Sequence, residues 1–160
     1  MSSKDEKFML DVAELAAERS SGVRMKVGAV VTDRDGNLVA FGYNGSVRGG
    51  DNCLEVRVYS YSDPLKNQIY PYQDGDGFSY RLETKESTIH AEQNCISHAA
   101  RRGISIDKGK MYITHSPCQK CASMMVQCGI TEVVYKEKYR LFDEVEAEVG
   151  RYIKLTQWKG

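Results

Sequence analysis

Residues 88–135 read TIHAEQNCISHAARRGISIDKGKMYITHSPCQKCASMMVQCGITEVVY, and this stretch decides the fold. Ala91 to Arg102 predicts a helix closed by Gly103, Lys110 to Thr114 a strand, Cys118 to Cys128 a second helix closed by Gly129, and Glu132 to Tyr135 a second strand. Downstream, a helix around Leu141 to Val149 and a short strand from Tyr152 to Leu155 continue the alternation. Upstream, Phe8, Leu10, Val12, Leu15, Ala16 and Ala17 recur at helical spacing and predict an amphipathic helix between Lys4 and Ser20 that lies on a sheet. Lys26–Thr32 (KVGAVVT) and Asn37–Gly42 (NLVAFG) flank Asp33-Arg34-Asp35-Gly36, which reads as an antiparallel hairpin. The expected architecture is α/β, with helices on both faces of a mixed sheet of about five strands.

Between residues 43 and 87 periodicity fades, while Gly, Asp, Asn, Ser and Tyr accumulate, with tyrosines at 59, 61, 70 and 72. A loop this long in a small chain is expected to be functional or partly disordered. Its tyrosines either stack on a planar ligand or pack the loop against the core. With 160 residues and 41% hydrophobic composition, one domain spanning 1–160 is expected. Lysine plus arginine equals aspartate plus glutamate at 22 each, so no whole-molecule field draws the protein to nucleic acid or an anionic membrane. Acidic residues interrupt the apolar positions of MSSKDEKFMLDVAELAAERS, which does not read as a signal peptide, and no run is long enough to span a bilayer. Five cysteines, two of them as Cys118-x-x-Cys121, fit a reducing, cytoplasmic compartment and a metal or redox role better than a disulfide framework.

The unusual residues stand at two helix starts: His90-Ala91-Glu92 and Pro117-Cys118-Gln119-Lys120-Cys121. Pro117 suits a first helical position, and Cys118 and Cys121, three apart, then face one side of the opening turn. His90 and Glu92, two apart, converge on the same point only from the very tip of a helix. A helix N-terminus favours thiolates, and two thiolates with one imidazole make the three-ligand tetrahedral zinc set that leaves one position open for catalysis. Two thiolates cancel the formal charge of Zn²⁺ and weaken it as a Lewis acid, so a nearby base is needed. Glu92 is placed to take a proton from the attacking water and hand it on, first to the substrate and then to the leaving group. A redox pair would have no use for the separate His-x-Glu. A four-ligand structural site would need a further pair, which Cys53, Cys95, Cys128, His98 and His115 do not supply at suitable spacing.

His-x-Glu followed by Pro-Cys-x-x-Cys is a signature of zinc nucleobase deaminases. Through Val27-Gly28-Ala29-Val30, Gly42-Tyr43-Asn44-Gly45, His90-Ala91-Glu92-Gln93-Asn94 and Ser116-Pro117-Cys118-Gln119-Lys120-Cys121, the chain resembles the cytidine deaminase superfamily and, within it, the deoxycytidylate deaminases. The resemblance implies a three-layer α/β/α cytidine-deaminase-like fold and hydrolytic conversion of dCMP to dUMP with release of ammonia. One catalytic Zn²⁺ per subunit is implied, held by His90, Cys118 and Cys121, with Glu92 catalytic, in a homohexamer. It also implies activation by dCTP with Mg²⁺ and inhibition by dTTP at a site near Gly42, Tyr43, Asn44, Gly45 and Arg24. Some relatives carry a second, structural zinc between the first helix and the long loop. Here only Cys53 could serve it and Gly22 stands where a partner cysteine is often found, so one zinc is expected.

A substrate-binding role for Asn44 carries over with the matching turn, where its amide can donate to and accept from a sugar hydroxyl; the alternative is turn geometry alone. Ser116 is a further substrate-binding candidate, and Tyr139 resembles an aromatic that closes over the substrate in this family. A phosphate needs cations, and Arg24, Lys26, Arg48, Arg101 and Arg102 are the candidates; Arg24 and Arg101 are foremost, placed to reach the nucleotide's far end within a subunit or across a subunit boundary, though each also reads as an ordinary surface charge. Two other functions share the zinc set: deamination of tRNA adenosine or single-strand cytosine, and a non-catalytic zinc-stabilised module. The first usually presents a basic groove, and the second has no need of Glu92.

Overall fold

The computed structural model describes residues 2–65 and 67–160. The first helix, α1 (Ser3–Glu18), starts at Ser2, whose hydroxyl accepts the Asp5 N–H while the Asp5 carboxylate accepts the Ser2 N–H. This reciprocal pairing satisfies two otherwise orphaned donors. Met9, Leu10, Ala13, Ala16 and Ala17 form its buried face. It lies on β1 (Gly28–Thr32), which pairs antiparallel with β2 (Leu38–Tyr43) across the Asp33–Gly36 turn.

A small antiparallel sheet follows, made of β3 (Glu55–Tyr59), β4 (Tyr72–Gln73) and β5 (Ser79–Thr84) in the order β3-β5-β4. The chain then returns to the main layer through α2 (Ala91–Arg101), β6 (Lys110–His115), α3 (Gln119–Gln127), β7 (Glu132–Glu137), α4 (Phe142–Val149) and β8 (Lys154–Gln157). The main sheet runs β2-β1-β6-β7-β8; β1 is antiparallel to both neighbours, and β6, β7 and β8 are parallel. The mixed five-stranded α/β architecture predicted from the sequence is therefore present.

Side-chain alternation divides the core into two. Val30, Tyr112 and Val134 face Met9, Leu10 and Ala13 of α1. Ala29, Val31, Met111, Ile113 and Val133 face the opposite way, against Cys95 and Ala99 of α2, Met125 of α3 and Val145 of α4. Strands covered on both faces read as continuous apolar runs, which is why KVGAVVT, MYIT and EVVY stood out. Among the described residues no helix is long and apolar enough to cross a membrane.

Among the differences from expectation, three have a clear physical cause. Residues 43–87 carry the three-stranded sheet where a loop without strands was predicted. Its strands are short and only half-buried, so the contrast between their two faces is weak. The tyrosines there pack mainly on one another: Tyr59 stacks on Tyr61 at 5.3 Å, Tyr72 on Tyr80 at 5.4 Å, and Tyr61 meets Phe78 edge-on at 5.5 Å. Pro117 precedes the cap instead of opening α3. Ser116 N–H still donates to Glu137 O, so the chain stays extended through Cys118, the N-cap at φ −75° and ψ 166°. The last strand lies two residues later than predicted, because Tyr152 and Ile153 still bond back to Val149 O.

At the start of β7, Glu132 joins three strands. Its carboxylate accepts from Lys110 on β6 at 2.6 Å, and from Lys154 at 3.0 Å and Thr156 at 2.9 Å on β8. Burial alone would raise this carboxyl, but the three donors outweigh it and hold it at about 2. A folded value below the unfolded one means stabilisation that is complete at neutral pH and lost as pH falls from about 4.5 towards 2. Glu132→Gln is expected to lower unfolding free energy by about 1–3 kcal/mol at pH 7. In urea titrations most of that difference should disappear by about pH 3; an equal penalty at both pH values would show that shape, not charge, is what Glu132 contributes.

Candidate active site

Two helix N-termini meet beyond the ends of β1 and β6. His90 is the N-cap of α2, extended at φ −71° and ψ 155°, and Cys118 is the N-cap of α3. Helix-tip placement lets residues two apart, His90 and Glu92, serve one point, as the sequence required. His90 Nδ1 lies 3.5 Å from Cys118 Sγ and 3.4 Å from Cys121 Sγ, and the three atoms all fall within 4.8 Å of one another. A tetrahedral zinc with Zn–S near 2.3 Å and Zn–N near 2.0 Å spans ligand edges of about 3.6 Å, so this donor set fits the ion.

The backbone around these residues is tied down. His90 N–H donates to Gln93 Oε1 at 2.8 Å, and Asn94 Nδ2 donates to Tyr43 O at 2.7 Å. Gly45 and Ile89 exchange two backbone bonds, at 3.0 and 2.8 Å. Gly42 is required by close approach: a Cβ there would stand 2.4 Å from Ala91 O and 2.9 Å from Cys95 N. The Gly42–Gly45 turn thus clamps the N-terminus of α2, and with it His90, against β2.

Glu92 is 4% exposed, and burial pushes its carboxyl up to about 7, against the opposing pull of a backbone N–H and His90. A group poised there can both take and give a proton near neutral pH. Cys118 is drawn down to about 4, first by the hydrogen bond from Cys121 and then by His90, while Cys121 is pushed up because it donates to Cys118 and is buried. Without metal the pair therefore holds one negative charge, and binding a dication would displace a further proton.

His90, Glu92 and Cys118 sit in a cavity of about 500 Å³. Its lining includes Arg24, Met25, Val27 and Asn44, Ser116, Lys138, Tyr139 and Arg140, Glu55 and Thr84 of the small sheet, and Leu54 just before that sheet. Of the residues singled out from the sequence, His90, Glu92, Cys118, Asn44, Ser116, Tyr139 and Arg24 line this space, and buried Cys121 stands directly behind it. Gly42, Tyr43 and Gly45 do not, being engaged with α2. Arg101 does not either: it is exposed in the last turn of α2, about 15 Å along the helix from its start, too far to reach the cavity of its own chain. Arg102 is also used elsewhere, donating to Val39 O at 2.6 Å.

Asn44 is partly committed. Its Oδ1 accepts from Val27 N at 2.8 Å and its Nδ2 donates to Met25 O at 2.9 Å, leaving one N–H and one lone pair for a ligand. Ser116 Oγ accepts the Tyr139 N–H at 2.7 Å and so fixes the 138–140 segment. Lys138 and Arg140 were missed in the sequence, although they follow the carboxyl end of a parallel strand, where α/β sheets bind ligands. His115 was missed as well; burial lowers its pKa, so it faces the cavity as a neutral ring near pH 7. Glu55 and Thr84 carried no sequence signal.

Residues 2–137 match the family model described as the cytidine and deoxycytidylate deaminase zinc-binding region. The chain belongs to the cytidine and deoxycytidylate deaminase family. As a member of this deaminase family it is a hydrolase, and its His90, Cys118 and Cys121 fall inside the matched zinc-binding region. The chain is similar to the deoxycytidylate deaminase of Enterobacteria phage T4, 34% identical over 149 residues, which cover 82% of this chain and 77% of the relative. The human deoxycytidylate deaminase is 30% identical over 142 residues, covering 88% of this chain and 69% of the relative. Among solved structures, a dCMP deaminase from the cyanophage S-TIM5 in complex with dCMP and dUMP superposes with a TM-score of 0.76 at 29% identity, covering 99% of both chains. The deaminase fold thus extends over nearly the whole chain, the small sheet included.

Proposed function

We propose that the protein hydrolyses dCMP to dUMP and ammonia, with Glu92 as the proton carrier. One observation carries the reading: a buried carboxyl held near neutrality stands beside a zinc-fitting His/Cys/Cys set in a cavity whose mouth bears Arg24, Lys138 and Arg140. Zinc held by His90, Cys118 and Cys121 supplies the Lewis acidity that makes water nucleophilic at neutral pH. Glu92 takes a proton from the attacking water and delivers it to the ring nitrogen N3. The water oxygen bonds to C4; Glu92 then takes the proton of the resulting C4 hydroxyl and passes it to the exocyclic amine as the C4–N bond breaks, leaving a carbonyl at C4 and releasing ammonia. The three cations pair with the phosphate, Tyr139 covers the nucleotide, and the unused amide groups of Asn44 meet the sugar. Similarity to deoxycytidylate deaminases, one of them solved with dCMP and dUMP, supports this choice of substrate.

The same reading takes the enzyme as a cytoplasmic homohexamer with one catalytic zinc per subunit, activated by Mg²⁺-dCTP and inhibited by dTTP near residues 42–45 and Arg24. The reciprocal pair of backbone hydrogen bonds between Gly45 and Ile89 supports such coupling, since a shift of that turn would move His90. Ammonia release from dCMP, CMP, deoxycytidine and a cytosine-containing single strand tests the substrate. Turnover of dCMP far above the others is expected, and activity on the strand alone would make this a nucleic-acid deaminase. Added Mg²⁺-dCTP should turn a sigmoidal dCMP curve hyperbolic; superimposable curves would remove the effector.

A further inference from the structure

Glu55 presents a contradiction at the cavity mouth. It is a carboxylate only 9% exposed, lining a cavity assigned above to an anionic nucleotide, where its charge repels the ligand. A buried carboxylate is also costly unless donors compensate it. The donors are on the page: the backbone N–H groups of Val23 and Arg24 both converge on Glu55 Oε1, at 2.8 and 3.2 Å. The segment that follows α1 has no regular structure, so these N–H groups have no strand partner to satisfy them. Directly across the small sheet, Thr84 is the register partner of Glu55, and its Oγ1 lies 3.4 Å from Arg24 Nη1. One cross-strand pair therefore holds Arg24 at both ends, by its backbone and by its guanidinium. A further bond from Ser21 Oγ to Asn52 O at 2.5 Å ties the same segment to the approach to β3.

We infer that Glu55, together with Thr84, is a positioning residue that fixes Arg24 over the cavity mouth, so that the small sheet governs recognition of the substrate's phosphate. This rests on the dCMP reading above. The repulsion between Glu55 and the phosphate is offset because the carboxylate sits against two N–H dipoles and orders the cation that meets the anion.

Steady-state kinetics on dCMP with Glu55→Ala, Glu55→Gln, Arg24→Ala and the Glu55→Ala/Arg24→Ala double variant test this, with dUMP affinity measured by calorimetry. Glu55→Ala and Arg24→Ala should each raise KM about tenfold with kcat changed less than about twofold, and the double variant should be no worse than either single one. Glu55→Gln keeps the Oε1 acceptor and should stay within about threefold of wild type. If Glu55→Ala does not fold, Thr84→Val, which loses only the hydroxyl, should raise KM by a smaller factor that vanishes in the Arg24→Ala background. Multiplying effects in the double variant, or a fall in kcat at constant KM, would overturn the inference. Wild-type protein that binds dUMP but does not turn over dCMP would refute the deamination reading alone, and the same ratios in dUMP affinity would then decide the role of Glu55. Wild-type protein that binds no dUMP would overturn both.

Discussion

Glu92→Gln is expected to lower kcat for dCMP by about a thousandfold or more, while zinc content and dUMP affinity stay at wild-type levels. Glutamine has the shape of the carboxyl and can occupy its buried site, but it can neither take the proton from water nor return it to N3 and the amine. Burial disfavours the charged form of the carboxyl at this position, so a neutral side chain of the same shape adds no desolvation cost there. The melting temperature should therefore not fall, which separates loss of chemistry from loss of fold. Kinetics alongside metal analysis and calorimetry decide the matter: a variant retaining a tenth of wild-type turnover would remove Glu92 from the mechanism.

Cys118→Ala should cost zinc affinity by well over a hundredfold, since even residues that only support metal ligands cost about 10–100-fold when changed. Cys118 is the better test than Cys121. It is half-exposed at the helix cap, so truncation leaves little void, whereas Cys121 is buried in the core. After dialysis against a mild chelator, wild-type protein should regain activity on addition of zinc, and Cys118→Ala should regain neither metal nor activity. Stoichiometric zinc in the dialysed variant would show that the ligands are other than His90, Cys118 and Cys121.

The parts legible in the sequence share a property: their signal is local. Helix α2 announced itself by Gly103 and α3 by Gly129, both observed at positive φ, 65° and 80°, where a side chain would be strained. The first hairpin was marked by Gly36 at φ 84° and by Asp33, whose carboxylate accepts from Asp35 and Asn37. The His-x-Glu and Cys-x-x-Cys spacings stated the donor set because ligands on a helix tip lie within one turn of one another. Where the contrast between buried and exposed faces was weak, as in Val56 to Tyr59 and Tyr80 to Leu82, strands went unseen. Arg101 stands a helix length from His90, outside the cavity of its own chain, a separation that sequence order alone does not display.

By itself, then, the sequence determined the succession of helices and strands along the chain that build the main sheet, the three zinc-fitting side chains and the Glu92 carboxyl two residues after the first of them. Tertiary structure alone decided what surrounds them. It brought Lys138 and Arg140 from the end of β7, and Glu55 and Thr84 from the small sheet, to the same cavity as Arg24. It also committed half of the Asn44 amide to Met25 and Val27, and turned the Gly42–Gly45 motif into a clamp on α2. The physical reason is range. Helix caps, turns and i, i+3 spacings are set by neighbours a few residues apart, whereas cavity walls form between segments tens of residues apart, whose meeting depends on the packing of every element between them.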